Sequence, residues 1–312
     1  MSGSQLPLFQ RKTYKGIIPT IPVELQAPSG DKTVIETLPA YYTYLQNGGF
    51  SRYTPDDFTG DLKKFGVYCK EKNIQEITER DIESWIAFLK TPSPRGEGLR
   101  AKTVSRKLTA LSNYFQWLVG NEVIPADKNP MRTIANTRVS SPLPEILFET
   151  ECAALLTTAS SDPRTYLLFL LFLESGIKLE ELFGLRVSHF DFSNKYVPEM
   201  TIKHIGNKEK KSRKLKLPVD IIPVFNDYIA CYKVDDVLFP YTPRFVRYLI
   251  SETAEKAGVK KKVSAQILRD TCAIRQLKRG EGIERVLMRL GLSETTWEDA
   301  KIKYEKLAKA GI

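Results

Sequence analysis

Histidine is nearly absent from this chain: His189 and His204 are the only two in 312 residues. Both fall in one strand-like stretch, where a structural or surface role is the expectation. Cysteine is scarce as well. Cys69, Cys152, Cys231 and Cys272 lie far apart with no Cys-x-x-Cys spacing, which argues against a zinc site and against a disulfide framework. Each sits among apolar neighbours and is expected to pack as a small hydrophobe. Long apolar runs are missing too. The longest, Tyr166 to Leu173, is far too short to span a bilayer, and the start of the chain has no basic-then-apolar leader pattern. No internal repeat and no low-complexity segment is found. These absences predict a cytoplasmic protein with no membrane partner and no metal.

What is abundant is positive charge. The formal net charge is +10 and the pI about 9.2, which points to a polyanionic partner, nucleic acid being the commonest. The length suits about two domains, each large enough to bury a core.

The pattern along the chain divides it. Residues 1–35 carry scattered prolines and no sustained periodicity, and read as a flexible arm. Residues 36–124 are helical throughout. Thr54 with Asp57, and Thr78 with Asp81, are spaced to cap helix starts. Val104, Leu108, Leu111, Phe115 and Leu118 make one apolar face of a later helix, so a compact domain of four or five helices is predicted. Residues 125–144 hold four prolines and a Ser-Ser pair and read as a linker. Residues 145–312 begin with helical segments at 149–160 and 163–173. An alternating, lysine-rich stretch from Tyr196 to Leu217 follows, predicting a hairpin or three-stranded sheet, and helices resume from Val219.

Four segments in order carry a resemblance. Ser264-Ala265-Gln266-Ile267-Leu268-Arg269 resembles the His-x-x-Arg box of the tyrosine recombinases, the phage-integrase and Xer family. Gly176-Ile177-Lys178-Leu179-Glu180-Glu181-Leu182 resembles the family's Gly-x-Arg-x-x-Glu-Leu box. Gly206-Asn207-Lys208-Glu209-Lys210 resembles the Gly-Asn-Lys-Glu-Arg turn of its β-hairpin, and Thr54 to Leu118 resembles its helical core-binding domain. The match covers roughly Leu38 to Leu307. It implies a mainly α protein with a small β-sheet: a helical SAM-like core-binding domain, then an α+β catalytic-type domain, the two forming a C-shaped clamp on double-stranded DNA. It also implies homo-oligomers on DNA, a nucleoid-associated location and no cofactor.

In the family a tyrosine hydroxyl attacks a DNA phosphate while two arginine forks hold its non-bridging oxygens. A hairpin lysine protonates the leaving 5′-oxygen, and histidines donate hydrogen bonds or manage protons. Carried over residue by residue, the catalytic candidates are Tyr304, Arg269, Lys178, Gln266 and a hairpin lysine, for which Lys203 and Lys208 both remain open. The departures are specific. Lys178 stands where the family has arginine, keeping the charge and losing the bidentate fork. Gln266 stands where it has histidine, and can donate a hydrogen bond but carry no proton. Leu292 follows Leu290-Gly291 where a second histidine is expected. Tyr304 lies about three residues beyond the usual place of the nucleophile. Losing one clamping arginine or oxyanion donor costs on the order of 10²- to 10⁵-fold in related chemistry, whereas holding phosphates needs only positive charge and donors. The expectation is therefore DNA binding with strand cleavage weakened or lost. The alternatives are an active recombinase working through Tyr304, and a DNA-bound adaptor.

Tyr304 has a second reading. Thr295 with Glu298 is spaced as a capping box for a terminal helix, on which Trp297, Lys301, Tyr304 and Ala308 form one stripe, so Tyr304 is either nucleophile or core. Glu181 is expected to orient Lys178. Two sets of cations are expected to contact DNA by resemblance. One is the hairpin run of Lys208, Lys210, Lys211, Arg213, Lys214 and Lys216, and the other is Arg100, Lys102, Arg106 and Lys107 at the entry to the late helix of the first domain. Lys260, Lys261 and Lys262 form a weaker third patch. Gln5-Leu6-Pro7-Leu8-Phe9 resembles the short peptide by which bacterial replication and repair proteins dock into the sliding clamp, with Gln5, Leu8 and Phe9 as contacts.

Overall fold

The protein is described by a computed structural model covering residues 28–48, 50, 54–70, 72–92, 97–134, 143–203, 212–292 and 294–309, without the side chains of 294 and 295. The chain forms two compact units, residues 1–141 and 142–312.

Among its described residues the first unit is built from four helices: α1 (Val34–Asn47), α2 (Thr54–Tyr68), α3 (Glu79–Lys90) and α4 (Ala101–Gly120). Local chemistry starts them. Thr33 and Glu36 close a reciprocal box before α1, with the Thr33 amide donating to Glu36 Oε2 at 2.8 Å. The Thr78 amide donates to Asp81 Oδ2 at 2.9 Å before α3. Such boxes satisfy backbone donors that have no partner inside the helix. The chain packs earlier than its prolines suggest, since Pro28, Gly30 and Val34 are already buried. Val104, Leu108, Leu111, Phe115 and Leu118 line the inner face of α4. They pack with Tyr41, Phe65, Trp85, Tyr114 and Trp117 into an aromatic-rich core that also takes in Met131. Inside it the Thr37 and Tyr114 hydroxyls share a hydrogen bond of 2.6 Å.

The second unit opens with α5 (Glu149–Ala159) and α6 (Pro163–Leu170), the latter running into one π-helical turn, Leu171–Ser175. The apolar run noted in the sequence is this buried rod, which explains its lack of a polar face. A four-residue helix, α7 (Leu179–Leu182), comes next. Then β1 (Phe190–Asp191), β2 (Glu199–Ile202) and β3 (Arg213–Lys216) form an antiparallel sheet in the order β1-β2-β3. Met200 pairs with Leu215 and Ile202 with Arg213. Met200, Ile202 and Leu215 face the core, while Lys214 and Lys216 face solvent. Helices α8 (Ile221–Tyr232), α9 (Pro243–Lys256), α10 (Ala265–Lys278), α11 (Ile283–Arg289) and α12 (Glu294–Lys309) complete the unit. α12 begins at Glu294, so Thr295 lies inside its first turn and is not the cap that its spacing to Glu298 suggests.

Among the described residues no helix is long and apolar enough to cross a membrane. Nor do three or more histidine, cysteine or acidic side chains gather there as a metal group would.

Candidate functional site

The turn after the π-helical segment sets the site. Gly176 adopts a left-handed conformation, φ 61°, and a Cβ there would lie 2.5 Å from Leu290 Cδ2. Glycine alone allows both the backbone angle and that approach. Two residues on, Lys178 caps α7, and its backbone amide donates to Glu181 Oε2 at 2.9 Å. Glu181 is buried.

A guanidinium from the sheet completes this carboxylate. Arg213, the first residue of β3, donates Nη1 to Glu181 Oε1 at 2.8 Å and Nη2 to Glu181 Oε2 at 2.7 Å, a bidentate pair, and Nε to the Arg289 carbonyl at 2.8 Å. Arg269, on α10, donates Nη1 to the Gly176 carbonyl and Nη2 to the Leu290 carbonyl at 2.5 Å. Two guanidiniums thus cap two successive carbonyls at the C-terminus of α11, groups that have no partner within their own helix. Gly291, φ 60°, follows with its Cα turned against Arg213.

Beside this brace lies a second cluster, centred on Asp270. Its carboxylate is almost fully buried and accepts three donors: Gln266 Nε2 at 2.9 Å, the Tyr304 hydroxyl at 2.8 Å and Lys303 Nζ at 2.8 Å. Tyr304 is 3% exposed and belongs to an apolar cluster with Ile146, Ile274, Val286, Leu287 and Leu307, against which Trp297 packs. The indole of Trp297 donates to the Leu292 carbonyl at 3.1 Å.

Electrostatics follow from burial and neighbours. Burial, then the charge and hydrogen bond of Asp270, push the Tyr304 phenol well above its ordinary range. Burial lowers Arg269, the nearby Arg213 adding to it, while Glu181 opposes. Burial also lowers the Lys178 amine, helped by Arg269 and Arg213 and resisted by Glu181. Burial would raise the Glu181 carboxyl, but Arg213 and the Lys178 amide more than reverse that, and it is held below its usual value.

Of the catalytic candidates, Lys178 and Arg269 come together around Glu181, and Gln266 meets Tyr304 at Asp270. Lys203 is exposed just past the end of β2, where its charge helps to lower buried His189. Lys208, Lys210 and Lys211 lie outside the described residues, as do His204, Gln5, Leu8 and Phe9. Arg100, Lys102, Lys214, Lys260 and Lys262 present exposed side chains, and exposed Arg106 pairs with Asp61 Oδ2 at 2.8 Å.

Three expected DNA contacts are corrected. Lys107 is 6% exposed and donates to buried Asp61 inside the first unit. Arg213 is turned inward, with all three of its nitrogens engaged. Lys261 donates to the Ile146 carbonyl at 3.0 Å and to Glu151 at 2.8 Å, and lies over the Phe148 ring. Sequence reasoning missed the Arg213–Glu181 pair and the Asp270 hub. A signal for the first was present: period-two alternation puts Arg213 on the same face as Leu215 and Leu217.

Two family models match the chain: phage integrase, N-terminal SAM-like domain, over residues 38–122, and phage integrase family over residues 145–297. A tyrosine recombinase of Thermosipho africanus is 27% identical over 265 residues, covering 83% of this chain and 90% of its own. Tyrosine recombinase XerC of Staphylococcus carnosus is 25% identical over 260 residues, covering 78% and 83%. Among solved structures, the post-cleavage complex of the XerH site-specific recombinase with palindromic difH substrate aligns with a TM-score of 0.69 at 18% identity, covering 88% of this chain and 82% of that one. A lambda integrase dimer bound to a COC′ core site aligns at 0.65 and 14% identity, covering 86% and 76%.

Proposed function

The chain belongs to the phage integrase family of tyrosine recombinases, and from that premise we propose that it is a double-stranded DNA-binding protein whose strand cleavage is weakened or lost. The net charge of +10 and the exposed cations Arg100, Lys102, Lys203, Lys214, Lys260 and Lys262 supply the sequence-independent grip on phosphates. The relatives solved on DNA make duplex DNA the partner to test first.

The observation that carries the loss of cleavage is the state of the late tyrosine. A nucleophile needs its hydroxyl exposed to the phosphate and readily deprotonated. The Tyr304 hydroxyl instead donates to buried Asp270 within an apolar cluster, and both its burial and that carboxylate disfavour the phenolate. The clamp is altered in the same direction. Lys178 has no planar fork, Gln266 carries no transferable proton, and both terminal nitrogens of Arg269 hold backbone carbonyls.

The test is covalent trapping. Purified protein is incubated with nicked suicide duplexes and resolved on a denaturing gel, beside a retention assay across a salt series. Salt-sensitive retention with no covalent band is the expected result. A shifted band that disappears in Tyr304→Phe would overturn the loss of cleavage, and absence of retention at low salt would overturn DNA binding itself.

A further inference from the structure

Among the described residues of the first unit, the exposed large apolar side chains gather at the C-terminal ends of α2 and α3. Val67 is 60% exposed, Phe88 56% and Leu99 40%. Val67 precedes Tyr68, whose ring lies 5.1 Å from that of Phe88 and 4.9 Å from that of Trp85. Trp85 and Phe88 are themselves stacked, 5.5 Å apart and 19° from parallel. Leu99 joins the same end of α3, its amide donating to the Leu89 carbonyl at 2.8 Å. One exposed apolar side chain is ordinary, whereas a gathered group marks a contact surface.

The chain itself delivers an occupant to this surface. Pro28, the first described residue, is buried. Just after it, the Gln75 amide donates to the Gly30 carbonyl at 3.2 Å, the Ile74 amide donates to the Lys32 carbonyl at 2.9 Å, and Thr33 bridges to Asn73. Asn73 lies close to Tyr68, because the Lys70 and Lys72 amides turn back to the Val67 and Cys69 carbonyls at 3.1 and 3.2 Å. The chain before Pro28 therefore joins the fold beside the foot of the aromatic stack. Its last apolar stretch reads Ile17-Ile18-Pro19-Thr20-Ile21-Pro22-Val23-Glu24-Leu25.

We propose that Pro19 to Leu25 docks within its own chain on the Tyr68–Trp85–Phe88 stack, as an extended segment of the polyproline type. Proline fixes its own φ and holds the residue before it extended, so this sequence favours that form and loses little entropy on binding. At about three residues per turn Pro19, Pro22 and Leu25 fall on one face, and aromatic-lined grooves take such a face. From Pro22 to Pro28 the chain spans about 19 Å at ~3.1 Å per residue, enough to reach the stack. So short a tether sets an effective concentration on the order of mM, and a weak contact suffices. The docking does not depend on DNA binding.

The test uses the full chain with Phe88→p-benzoylphenylalanine, irradiated and digested for mass spectrometry. Cross-links from position 88 to residues 17–25 of the same chain are expected, and Pro19→Ser with Pro22→Ser should reduce them at least fivefold. Cross-links between two chains that grow with concentration would overturn the proposal in favour of a second copy, and cross-links that miss residues 17–25 would overturn it outright. If urea unfolding shows that the photoreactive variant is not folded, 5-fluorotryptophan in the otherwise unchanged protein decides. The Trp85 ¹⁹F signal, assigned through Trp85→Phe, should shift when both prolines are replaced by serine. A Trp85 signal that stays in place rejects the docking.

Discussion

The Tyr304 hydroxyl donates to Asp270 Oδ1 at 2.8 Å, tying α12 to the middle of α10 inside the apolar core. Tyr304→Phe removes this bond and leaves Asp270 with two donors, Gln266 and Lys303. Loss of a hydrogen bond to a charged acceptor is expected to cost about 1.5–3 kcal/mol. Urea unfolding should show that loss, with duplex retention unchanged. A variant as stable as the parent would mean that the bond does not hold the helix.

Removing the hub itself should cost more. In Asp270→Ala the Tyr304 hydroxyl loses its acceptor and the Lys303 ammonium its ion pair, so the loss should exceed that of Tyr304→Phe and reach about 3 kcal/mol or more. Combining the two changes should cost less than their sum, because both sever the same contact. Strict additivity in the unfolding data would show that the two groups act apart.

Lys107 offers a test in the first unit. Lys107 and Asp61 each have a side-chain exposure of 7%, and removing one partner leaves the other charge buried. Lys107→Met should cost about 3 kcal/mol, whereas Asp61→Leu with Lys107→Met should recover most of it. Because Arg106 still reaches Asp61 at 2.8 Å, the single change sits at the low end of such losses. The double variant should also keep the salt dependence of duplex retention. A slope lower by about 1 would put Lys107 on the DNA after all.

Gly291 and Gly258 form a matched pair. Both have positive φ, 60° and 69°, and alanine in that conformation costs about 1–2 kcal/mol from the backbone alone. Around Gly258 a Cβ would meet nothing, whereas at Gly291 it would run into the Arg213 guanidinium. Gly291→Ala should therefore be the more damaging of the two in urea, and the difference measures the displacement of Arg213. Equal losses would mean that the Arg213–Glu181 brace yields without cost.

How much of this was legible beforehand depended on whether the signal was periodic or local. The apolar face of α4, the box at Thr78 and Asp81, and the strand alternation before Leu217 all read directly into elements, because each is a repeat along the chain. The start of α12 was misplaced by a residue or two, since Thr295 and Glu298 have the spacing of a cap without being one. Lysines and arginines were the least legible. Lys107 and Arg106 are neighbours with the same charge, yet a helical step of 100° puts one in the core on Asp61 and the other at the surface. What decided their fates was a carboxylate some 46 residues away in the chain, and pairing at that separation leaves no mark in a local pattern. Arg213 with Glu181, 32 residues apart, is the same case.

Acid should loosen the brace in a direction that follows from Glu181. Its carboxyl is held below the ordinary value of 4.5, burial opposing and Arg213 with the Lys178 amide prevailing. A depressed carboxyl means that the unfolded chain binds the proton more readily than the folded one. Stability therefore rises with pH across the interval between the two values. The contribution is complete above about pH 4.5, the unfolded value, and is lost as pH falls through the lower folded value. Glu181→Gln removes the charge at every pH and leaves Arg213 with a neutral acceptor. The variant should be less stable than the parent at neutral pH, and the gap in urea midpoint should narrow as the buffer is taken from pH 4.5, where the unfolded parent takes up the proton, down through the lower value of the folded carboxyl. A gap that stays constant from neutral pH into acid would show that the ion pair with Arg213 adds nothing, and that Glu181 acts through its hydrogen-bonding shape alone.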